Sequence, residues 1–532
     1  MLREEEGFLF DGGQRRRRGM KIPCRRFCLC GGVAEIRCKS RLSGDGLRRE
    51  KGEKGMKKWW KTLSLALLGS LPASLALAAE EGAAAAAEVA EAVKLDTGDT
   101  VFVLLSAALV MLMTPALALF YGGMTRSKNV LNTIMLSFFV LALVSVQWVL
   151  FGYSLAFGPD INHLLGSLEW AGLSGVGQEA NADYAATVPH LAFMIFQCMF
   201  AVITPALITG SIAERMRFPA FALFVLFWTT VVYDPFAHWV WGVGGWLRDL
   251  GALDFAGGTV IHILSGVSGL VACLVMGKRR GYGVSPMMPH HLPMTVLGAA
   301  LLWFGWFGFN AGSALGASGL AASAFVVTNT AAAAGSLGWL FVEWMHNGKP
   351  TVLGIVSGCI AGLVGITPAA GFVEIVPAVI IGLGAGMLCY FAVSVCKRRL
   401  GYDDSLDAFG VHGVGGTWGA LATGLFCTKE VNPAGADGFF YGGGLEQFWI
   451  QAASVGMAIV FAAVMTFVIL KVISIFTELR VSEDAEVVGL DISEHGENGY
   501  VSQEFGAGVP MGAGAMSFER LEQPVATKAH FS

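Results

Sequence analysis

Long apolar runs separated by short polar segments fill the chain from about residue 99 to residue 480. A helix needs about 20 apolar residues to cross the hydrocarbon core of a bilayer. Eleven runs approach that length, so the pattern predicts eleven membrane-spanning helices. The runs lie near residues 101–121, 131–153, 190–212, 218–241, 258–276, 292–310, 319–342, 351–368, 375–396, 407–427 and 447–470.

Basic residues are divided unequally among the loops between these runs. The loops after the odd-numbered runs, first to ninth, hold eleven Lys and Arg residues, whereas those after the even-numbered runs hold only Arg248 and Lys429. Because basic loops stay in the cytoplasm, the pattern predicts an external N-terminus and a cytoplasmic C-terminus. The eleven basic residues are Arg126, Lys128, Arg215, Arg217, Lys278, Arg279, Arg280, Lys349, Lys397, Arg398 and Arg399.

The composition agrees with a membrane protein. Hydrophobic residues make up 54% of the chain and charged residues only 14%, against about 25% charged in soluble domains. The 70 glycines among 532 residues favour helices that approach one another closely. The chain has no basic domain, so a nucleic-acid partner is not expected.

The residues outside the apolar runs suggest four further segments. From Met56, a lysine-rich start, a short apolar stretch and Ala76-Leu77-Ala78 form the pattern of a secretory signal peptide. We therefore expect a signal peptide at 56–78, a periplasmic lead at 79–98 and a membrane domain at 99–480. Residues 1–55 are interpreted as a non-structural or mis-assigned extension, and 481–532 as a cytoplasmic tail. This organisation predicts a multi-pass protein of the inner (plasma) membrane.

Two of the apolar runs contain a histidine. His262 lies in the fifth run and His412 in the tenth, and each follows an aspartate, Asp254 or Asp404, by eight residues. The predicted topology makes these two runs cross in opposite directions, as in an inverted repeat of five plus five helices with an eleventh added. Such symmetry would bring the two imidazoles together near the membrane midplane, where ionisable residues usually line a pathway.

A metal site is not expected at these histidines. Two imidazoles supply two ligands, and no cysteine or carboxylate cluster nearby completes a coordination sphere.

Aromatic residues cluster at the predicted outer ends of three runs. The clusters are "AFMIFQCMF" (192–200), "PFAHWVWGVGGW" (235–246) and "LLWFGWFGFNAGSALG" (301–316). Each alone is compatible with the aromatic belt of a membrane interface. Together, with the hydroxyl of Ser313 among them, they suit a cage for a small cation.

Several longer motifs closely resemble the ammonium transporter family of bacteria and plants, which is related to the Rhesus proteins. The resemblance covers about residues 99–480. It implies eleven helices, a homotrimer with one conduction path per subunit, and transport rather than enzymatic activity, with no cofactor. The motifs are "FYGGMTRSKNVLNT" (120–133), "FGYSLAFG" (151–158), "GSIAERMRF" (210–218), "GALDFAGGTVIHI" (251–263), "LPMTVLGAALLWFGWFGFNAGSA" (292–314) and "DAFGVHGVGG" (407–416).

The resemblance also implies a role for individual residues. Trp241, Ser313 and Phe200 correspond to the external recruitment site for ammonium. Phe200 and Phe309 correspond to a stacked phenylalanine gate, and Phe196, one helical turn before Phe200, corresponds to a further gate residue near the pore.

Further along the implied path, His262 and His412 correspond to the paired pore histidines and Trp306 to a tryptophan beside the pore. Asp254 corresponds to an aspartate that supports the vestibule. We expect ammonium to lose a proton before ammonia crosses. The resemblance further implies that a PII signal-transduction protein docks on the cytoplasmic face.

Three other functions compete with transport. An ammonium sensor that signals through the acidic segment 481–500 is the main alternative, although the tail carries no added catalytic domain. A metal-dependent membrane hydrolase lacks the necessary ligands. A water or glycerol channel would carry a pair of Asn-Pro-Ala motifs, whereas the sequence contains this triplet once, at 432–434.

Overall fold

The computed structural model describes residues 94–500. The predicted extension at 1–55, the signal peptide at 56–78 and most of the lead at 79–98 lie outside the described residues, as does the tail beyond residue 500.

The eleven apolar runs of the sequence all form helices. Within residues 94–500, nine of these helices are long and apolar enough to cross a membrane, judged by length and composition; Val352–Ile366 is a shorter apolar helix. A predominantly helical membrane protein is thus confirmed, while the count of eleven spans stays a prediction. The helices are α1 (Thr97–Met124), α2 (Ser127–Phe157), α3 (His190–Ile212), α4 (218–241), α5 (Gly258–Met276), α6 (Leu292–Gly312), α7 (Gly319–Asn347), α8 (Val352–Ile366), α9 (Ile375–Leu400), α10 (409–426) and α11 (Glu446–Phe476).

Several helices are longer than the apolar runs that predicted them, because capping groups rather than hydropathy set their ends. Helix α1 begins at Thr97, where the Asp96 carboxylate accepts a hydrogen bond from the Asp99 amide at 2.8 Å. Helix α7 continues to Asn347 and ends where Gly348 adopts a left-handed conformation with φ of 76°. An apolar pattern locates the middle of a helix, whereas polar caps and glycine locate its ends.

Helices α5 and α10 both begin with a π-helical turn. The turn spans Gly258–Ile263 in α5 and Phe409–Gly413 in α10, and it contains His262 or His412 respectively. A π-helical turn holds one more residue than an α-helical turn and is frequent at functional sites. The two histidines therefore occupy equivalent local structures.

Glycine permits a close helix contact between α1 and α6. A β-carbon at Gly298 would lie 2.7 Å from both the Ala116 carbonyl oxygen and the Phe120 Cα of α1. Only glycine fits this approach, as expected when helix association depends on small residues.

The segment between α2 and α3 forms two short hairpins, and the turn of the second contributes Asp183 and Tyr184 to the cavity described below. Strand β1 (Asp160–Ile161) pairs antiparallel with β2 (Leu165–Gly166), and β3 (Ala180–Asn181) pairs antiparallel with β4 (Ala185–Pro189).

After α11, the tail folds back as two short helices, α12 (Glu483–Val488) and α13 (Leu490–His495). The Asp491 carboxylate accepts a hydrogen bond from the backbone amide of Asn132 at 2.8 Å, and the Asn129 side-chain oxygen accepts one from the backbone amide of Leu490 at 2.8 Å. The acidic segment 481–500 is thus packed on the start of α2.

A buried ion-pair network joins the basic loops. Arg279 contacts Asp403 at 2.8 Å and Glu214 at 3.1 Å, and Arg126 contacts Glu214 at 2.6 Å. Burial by itself raises the pKa of Glu214, but the neighbouring Arg279 and Arg126 outweigh it and hold this pKa below its usual range. Burial is likewise outweighed at Asp403, mainly by Arg279, so that the pKa of Asp403 is also lowered. The network fixes the loop before α10 against the loops after α3 and α5.

Candidate functional site

A cavity of about 220 Å³, named the outer cavity after the side that the loop charges predict for it, opens beside the C-terminal end of α4. Trp241, Ser313 and Phe200 all line it. The Trp241 indole donates to the Asp254 carbonyl at 2.8 Å, and the Ser313 hydroxyl donates to the Phe309 carbonyl at 2.9 Å. Both polar side chains are therefore held in place, and the Ser313 oxygen keeps its capacity to accept a hydrogen bond.

Asp254 supports this cavity from behind. Its carboxylate accepts hydrogen bonds from the amides of Gly257 at 2.8 Å, Gly258 at 2.7 Å and Thr259 at 2.7 Å, and from the Thr259 hydroxyl. The same residue thus caps the start of α5 through its side chain and orients Trp241 through its carbonyl. Asp254 does not belong to the residues that line the cavity.

Two phenylalanines close the floor of the outer cavity. The rings of Phe200 and Phe309 are stacked with their centroids 4.4 Å apart and an interplanar angle of 23°. Trp241 stands edge-on to Phe200 at 6.1 Å. Phe196 packs behind Phe200 with centroids 4.8 Å apart and does not line the cavity on either side of the stack.

Below the stacked rings the passage narrows to a cavity of about 10 Å³. This volume is close to the minimum that one water molecule needs. The Trp306 ring stacks on His262 with centroids 5.5 Å apart and donates its indole hydrogen to the Thr367 hydroxyl at 2.9 Å. The lining residues are Met113, Leu117, Phe120, Ile203, Leu207, Ile261, His262, Leu302, Trp306, Phe309, Ile360 and His412.

The two histidines meet in this narrow section. The Nδ1 atoms of His262 and His412 are 3.2 Å apart and the ring centroids 5.3 Å apart. Because one of these nitrogens must donate and the other accept, the pair shares one proton between the rings. His262 Nε2 is buried and has no hydrogen-bond partner among residues 94–500. One polar atom is therefore free to serve a small guest.

His412 also borders an inner cavity of about 160 Å³. Asp407 and Glu343 line this cavity together with aromatic residues, including Tyr121 and Trp339. Outer cavity, phenylalanine stack, histidine pair and inner cavity follow one another through the bundle.

Several residues that line the outer cavity were not predicted from the sequence. Gln197, Phe255, Asp183 and Arg248 line it as well. Gln197 lies three residues before Phe200 on the same helix face, so its spacing could have identified it. Asp183 and Arg248 lie in loops, where no periodicity reports which side chains converge.

A metal centre has no support within residues 94–500. No group of three or more His, Cys, Asp or Glu residues in that range is placed to hold a metal ion.

A series of cavities through a bundle of apolar helices defines a membrane transport protein. Comparison with known proteins is more specific, because the Ammonium Transporter Family model matches residues 101–500. The chain belongs to this family.

An ammonium transporter of Bacillus subtilis (strain 168) is 58% identical over 403 residues, which cover 76% of this chain and 98% of that protein. The crystal structure of Saccharomyces cerevisiae Mep2 is similar with a TM-score of 0.69 and 38% identity, covering 74% of this chain and 89% of the other. A structure described as a sensor Amt protein is similar with a TM-score of 0.68 and 29% identity, covering 75% and 98%. The curated relatives are named as transporters, which confirms the predictions of family and of a non-enzymatic role.

Proposed function

We propose that the chain recruits ammonium at Trp241, Ser313 and Phe200, removes a proton and conducts ammonia past His262 and His412. The observation that carries this proposal is the 3.2 Å contact between the two Nδ1 atoms inside a cavity of about 10 Å³. A wider cavity lies on each side of that section. A fully hydrated ion is too large for it, whereas a molecule the size of ammonia is not.

The energies favour deprotonation over passage of the ion. Moving a small ion into a low-dielectric medium has an idealised cost of order 20 kcal/mol. One cation–π contact returns about 0.5–2 kcal/mol and one charge-assisted hydrogen bond about 1.5–3 kcal/mol. Loss of the proton at pH 7 costs about 4.6 kcal/mol if the lysine ammonium is taken as a guide. The aromatic cage can therefore hold the ion at the mouth of the outer cavity, but only neutral ammonia crosses the narrow section at a low free-energy cost.

The histidine pair supplies the polar groups that the narrow section otherwise lacks. One ring nitrogen accepts from ammonia or a departing proton while its neighbour donates, so the pair can pass a proton along. Potassium has no proton to lose and is excluded by the same step. If the detached proton follows, transport carries net charge.

Current recordings in reconstituted membranes test this mechanism. We expect the double variant His262→Ala plus His412→Ala to lose the ammonium-evoked current. The matched control is His346→Ala, because His346 lies at the end of α7 and bonds Tyr390 rather than a pore residue. An undiminished current in the double variant would contradict the proton relay.

The proposal includes a topology. Eleven spans form an inverted repeat of five plus five with one added, the N-terminus is external and the C-terminus cytoplasmic, and the protein is a homotrimer of the inner membrane. The matching π-helical starts of α5 and α10, each preceded by a capping aspartate, support the repeat.

Three measurements test this topology and the proposed processing at 56–78. Accessibility of single cysteines tests the orientation, native mass spectrometry the trimer, and sequencing of the mature N-terminus the signal peptide.

A sensor role is the second candidate, and the packed tail favours it. The Lys128 ammonium donates to the Glu486 carbonyl at 2.7 Å, which couples the tail to the first cytoplasmic loop. A PII signal-transduction protein docked on this face would meet both elements. Methylammonium uptake in cells that lack other ammonium transporters separates the roles, since a pure sensor gives no uptake.

A further inference from the structure

Two residues of opposite charge stand at the rim of the outer cavity. Arg248 and Asp183 both line the cavity that holds Trp241 and Ser313, and both are exposed to solvent. Neither charge belongs to the recruitment site described above, which is aromatic and hydroxylic. Because the proposed guest is a cation, each rim charge must act on it.

Arg248 is fixed next to the recruitment site. Its Nη1 donates to the Trp241 carbonyl at 2.8 Å, so the guanidinium lies against the residue whose indole faces the cavity. A fixed positive charge at this point repels an arriving cation and lowers its local concentration.

Asp183 acts with the opposite sign. It lies in the β3–β4 turn, where its amide donates to the Asn181 side chain at 3.0 Å. Within residues 94–500, Asp183 and Arg248 form no ion pair within 4.0 Å. The two charges are therefore not neutralised by direct contact, and Asp183 attracts the cation that Arg248 repels.

The other nearby acids are engaged elsewhere. Asp160 accepts from His238 at 2.9 Å, and Asp249 lies 3.7 Å from His163. Neither Asp160 nor Asp249 lines the cavity.

We propose that Arg248 and Asp183 have opposing effects on cation recruitment and together set the apparent affinity for ammonium and its dependence on ionic strength. This inference rests on the proposed recruitment of a cation at Trp241 and Ser313. One unit charge acting through about 8–10 Å of water changes the affinity for a monovalent cation about twofold, so each single variant should show an effect of that size.

A structural role for Arg248 makes a different prediction. Arg248 also contacts a carbonyl at the C-terminal end of α4, where a basic residue stabilises a helix. If that were its whole function, Arg248→Gln would disturb Trp241 and raise KM. If charge is what matters, Arg248→Gln lowers KM while Arg248→Lys leaves it near the starting value.

The test measures KM for labelled methylammonium in proteoliposomes at several ionic strengths. We expect Arg248→Gln to lower KM about twofold, with KM rising as salt screens the remaining Asp183. Asp183→Asn should raise KM about twofold, with KM falling as salt screens Arg248. The double variant should return to the original KM with little salt dependence. Lys429→Gln removes a positive charge from another loop outside the cavity and serves as the control.

The possible outcomes separate the two proposals. Absence of uptake by the unsubstituted protein would refute the proposed transport function. Normal uptake with salt slopes of the same sign in the two single variants, or a KM raised by Arg248→Gln, would overturn the rim inference and leave transport intact.

Discussion

His262 and His412 occupy matching π-helical starts, yet the loops that lead into them are held by different chemistry. Before α5, the Asp254 carboxylate collects three backbone amides at 2.7–2.8 Å. The side-chain amide of Gln451 accepts from the Leu253 amide and donates to the Leu253 carbonyl, both at 2.7 Å. This loop is held mainly by hydrogen bonds to the backbone.

The loop before α10 is held mainly by ion pairs. Asp403 pairs with Arg279 at 2.8 Å, and Asp407 pairs with Lys397 at 2.6 Å. Asp404, the counterpart of Asp254, accepts only the Phe409 amide at 2.8 Å, and its Oδ1 has no partner among residues 94–500. The histidine-containing turn of α5 is thus supported by hydrogen bonds from backbone amides, whereas the equivalent turn of α10 is supported by ion pairs next to the basic loops.

Removal of Arg279 should have the largest effect on the stability of the loop before α10. Arg279→Met leaves the buried Asp403 without its closest cation and Glu214 with Arg126 alone, and loss of one partner from a buried pair costs about 3–5 kcal/mol. We expect the free energy of unfolding in detergent to fall by that amount. Arg217→Met is the matched control, because Arg217 and Glu478 form an exposed pair, worth about 0–1 kcal/mol. Equal losses in the two variants would show that the network does not hold the α10 loop.

Acid should weaken the α10 loop through the same carboxylates. The pKa values of Glu214 and Asp403 are lowered, against the effect of burial, by neighbouring arginines. Groups with a lowered pKa add stability above their unfolded pKa, about 4, and lose it as pH falls through the lower folded value.

Thermal unfolding as a function of pH checks this sign. The contribution of the network should be constant from pH 7 to about pH 5 and decline below about pH 4. In Arg279→Met, Asp403 loses its closest cation while Glu214 keeps Arg126, so that protonation of Asp403 relieves a buried charge and stability should rise on mild acidification. Parallel pH profiles for the two proteins would contradict the assignment.

The two aspartates that precede the histidines offer a smaller and more direct comparison. Asp254→Ala removes several charge-assisted hydrogen bonds, each worth about 1.5–3 kcal/mol but not additive, so we expect a loss of about 3 kcal/mol. Asp404→Ala removes one such bond and should cost about 1.5 kcal/mol. Asp254→Ala should also reduce methylammonium uptake more, because the Asp254 carbonyl orients Trp241. Equal losses of stability and uptake in the two variants would contradict the proposed difference between Asp254 and Asp404.

Much of the helical architecture could be predicted from the sequence because its signals are strong and local. Apolar runs located the helices, and the eight-residue spacing from Asp254 to His262 and from Asp404 to His412 favoured an inverted repeat. The structure brings the two imidazoles together, as that reasoning expected. The paired positions in the phenylalanine stack came from family resemblance rather than from any pattern in the chain.

Other features of the site depend on contacts that hydropathy does not encode. A π-helical turn differs from an α-helical turn by one residue and leaves the apolar pattern unchanged, so the starts of α5 and α10 were expected as ordinary helix. The network around Arg279 joins residues 214, 279 and 403, and its residues appeared in the sequence only as loop charges. The packing of α12 and α13 on α2 depends on matching side chains to free amides across more than 350 positions.

The contact between the two histidine helices is asymmetric as well. A β-carbon at Gly266 would meet the backbone of Gly413, 2.6 Å from its Cα, whereas a β-carbon at Gly413 would meet the edge of the Phe409 ring at 2.6 Å. Backbone cannot move aside as a side chain can. Overpacking costs about 1–3 kcal/mol. The loss in the free energy of unfolding should lie near the upper end of this range for Gly266→Ala and near the lower end for Gly413→Ala.

Unfolding in detergent together with methylammonium uptake measures this difference. Gly266→Ala should also reduce uptake, because separating α5 from α10 lengthens the 3.2 Å contact between the imidazoles. Gly456→Ala in α11 is the control, since its β-carbon would meet nothing within 4 Å and alanine favours a helix by about 1 kcal/mol over glycine. If Gly413→Ala proved the more damaging variant, the Phe409 ring would be the rigid element, and the α10 start would be as tightly fixed as the α5 start despite its simpler capping.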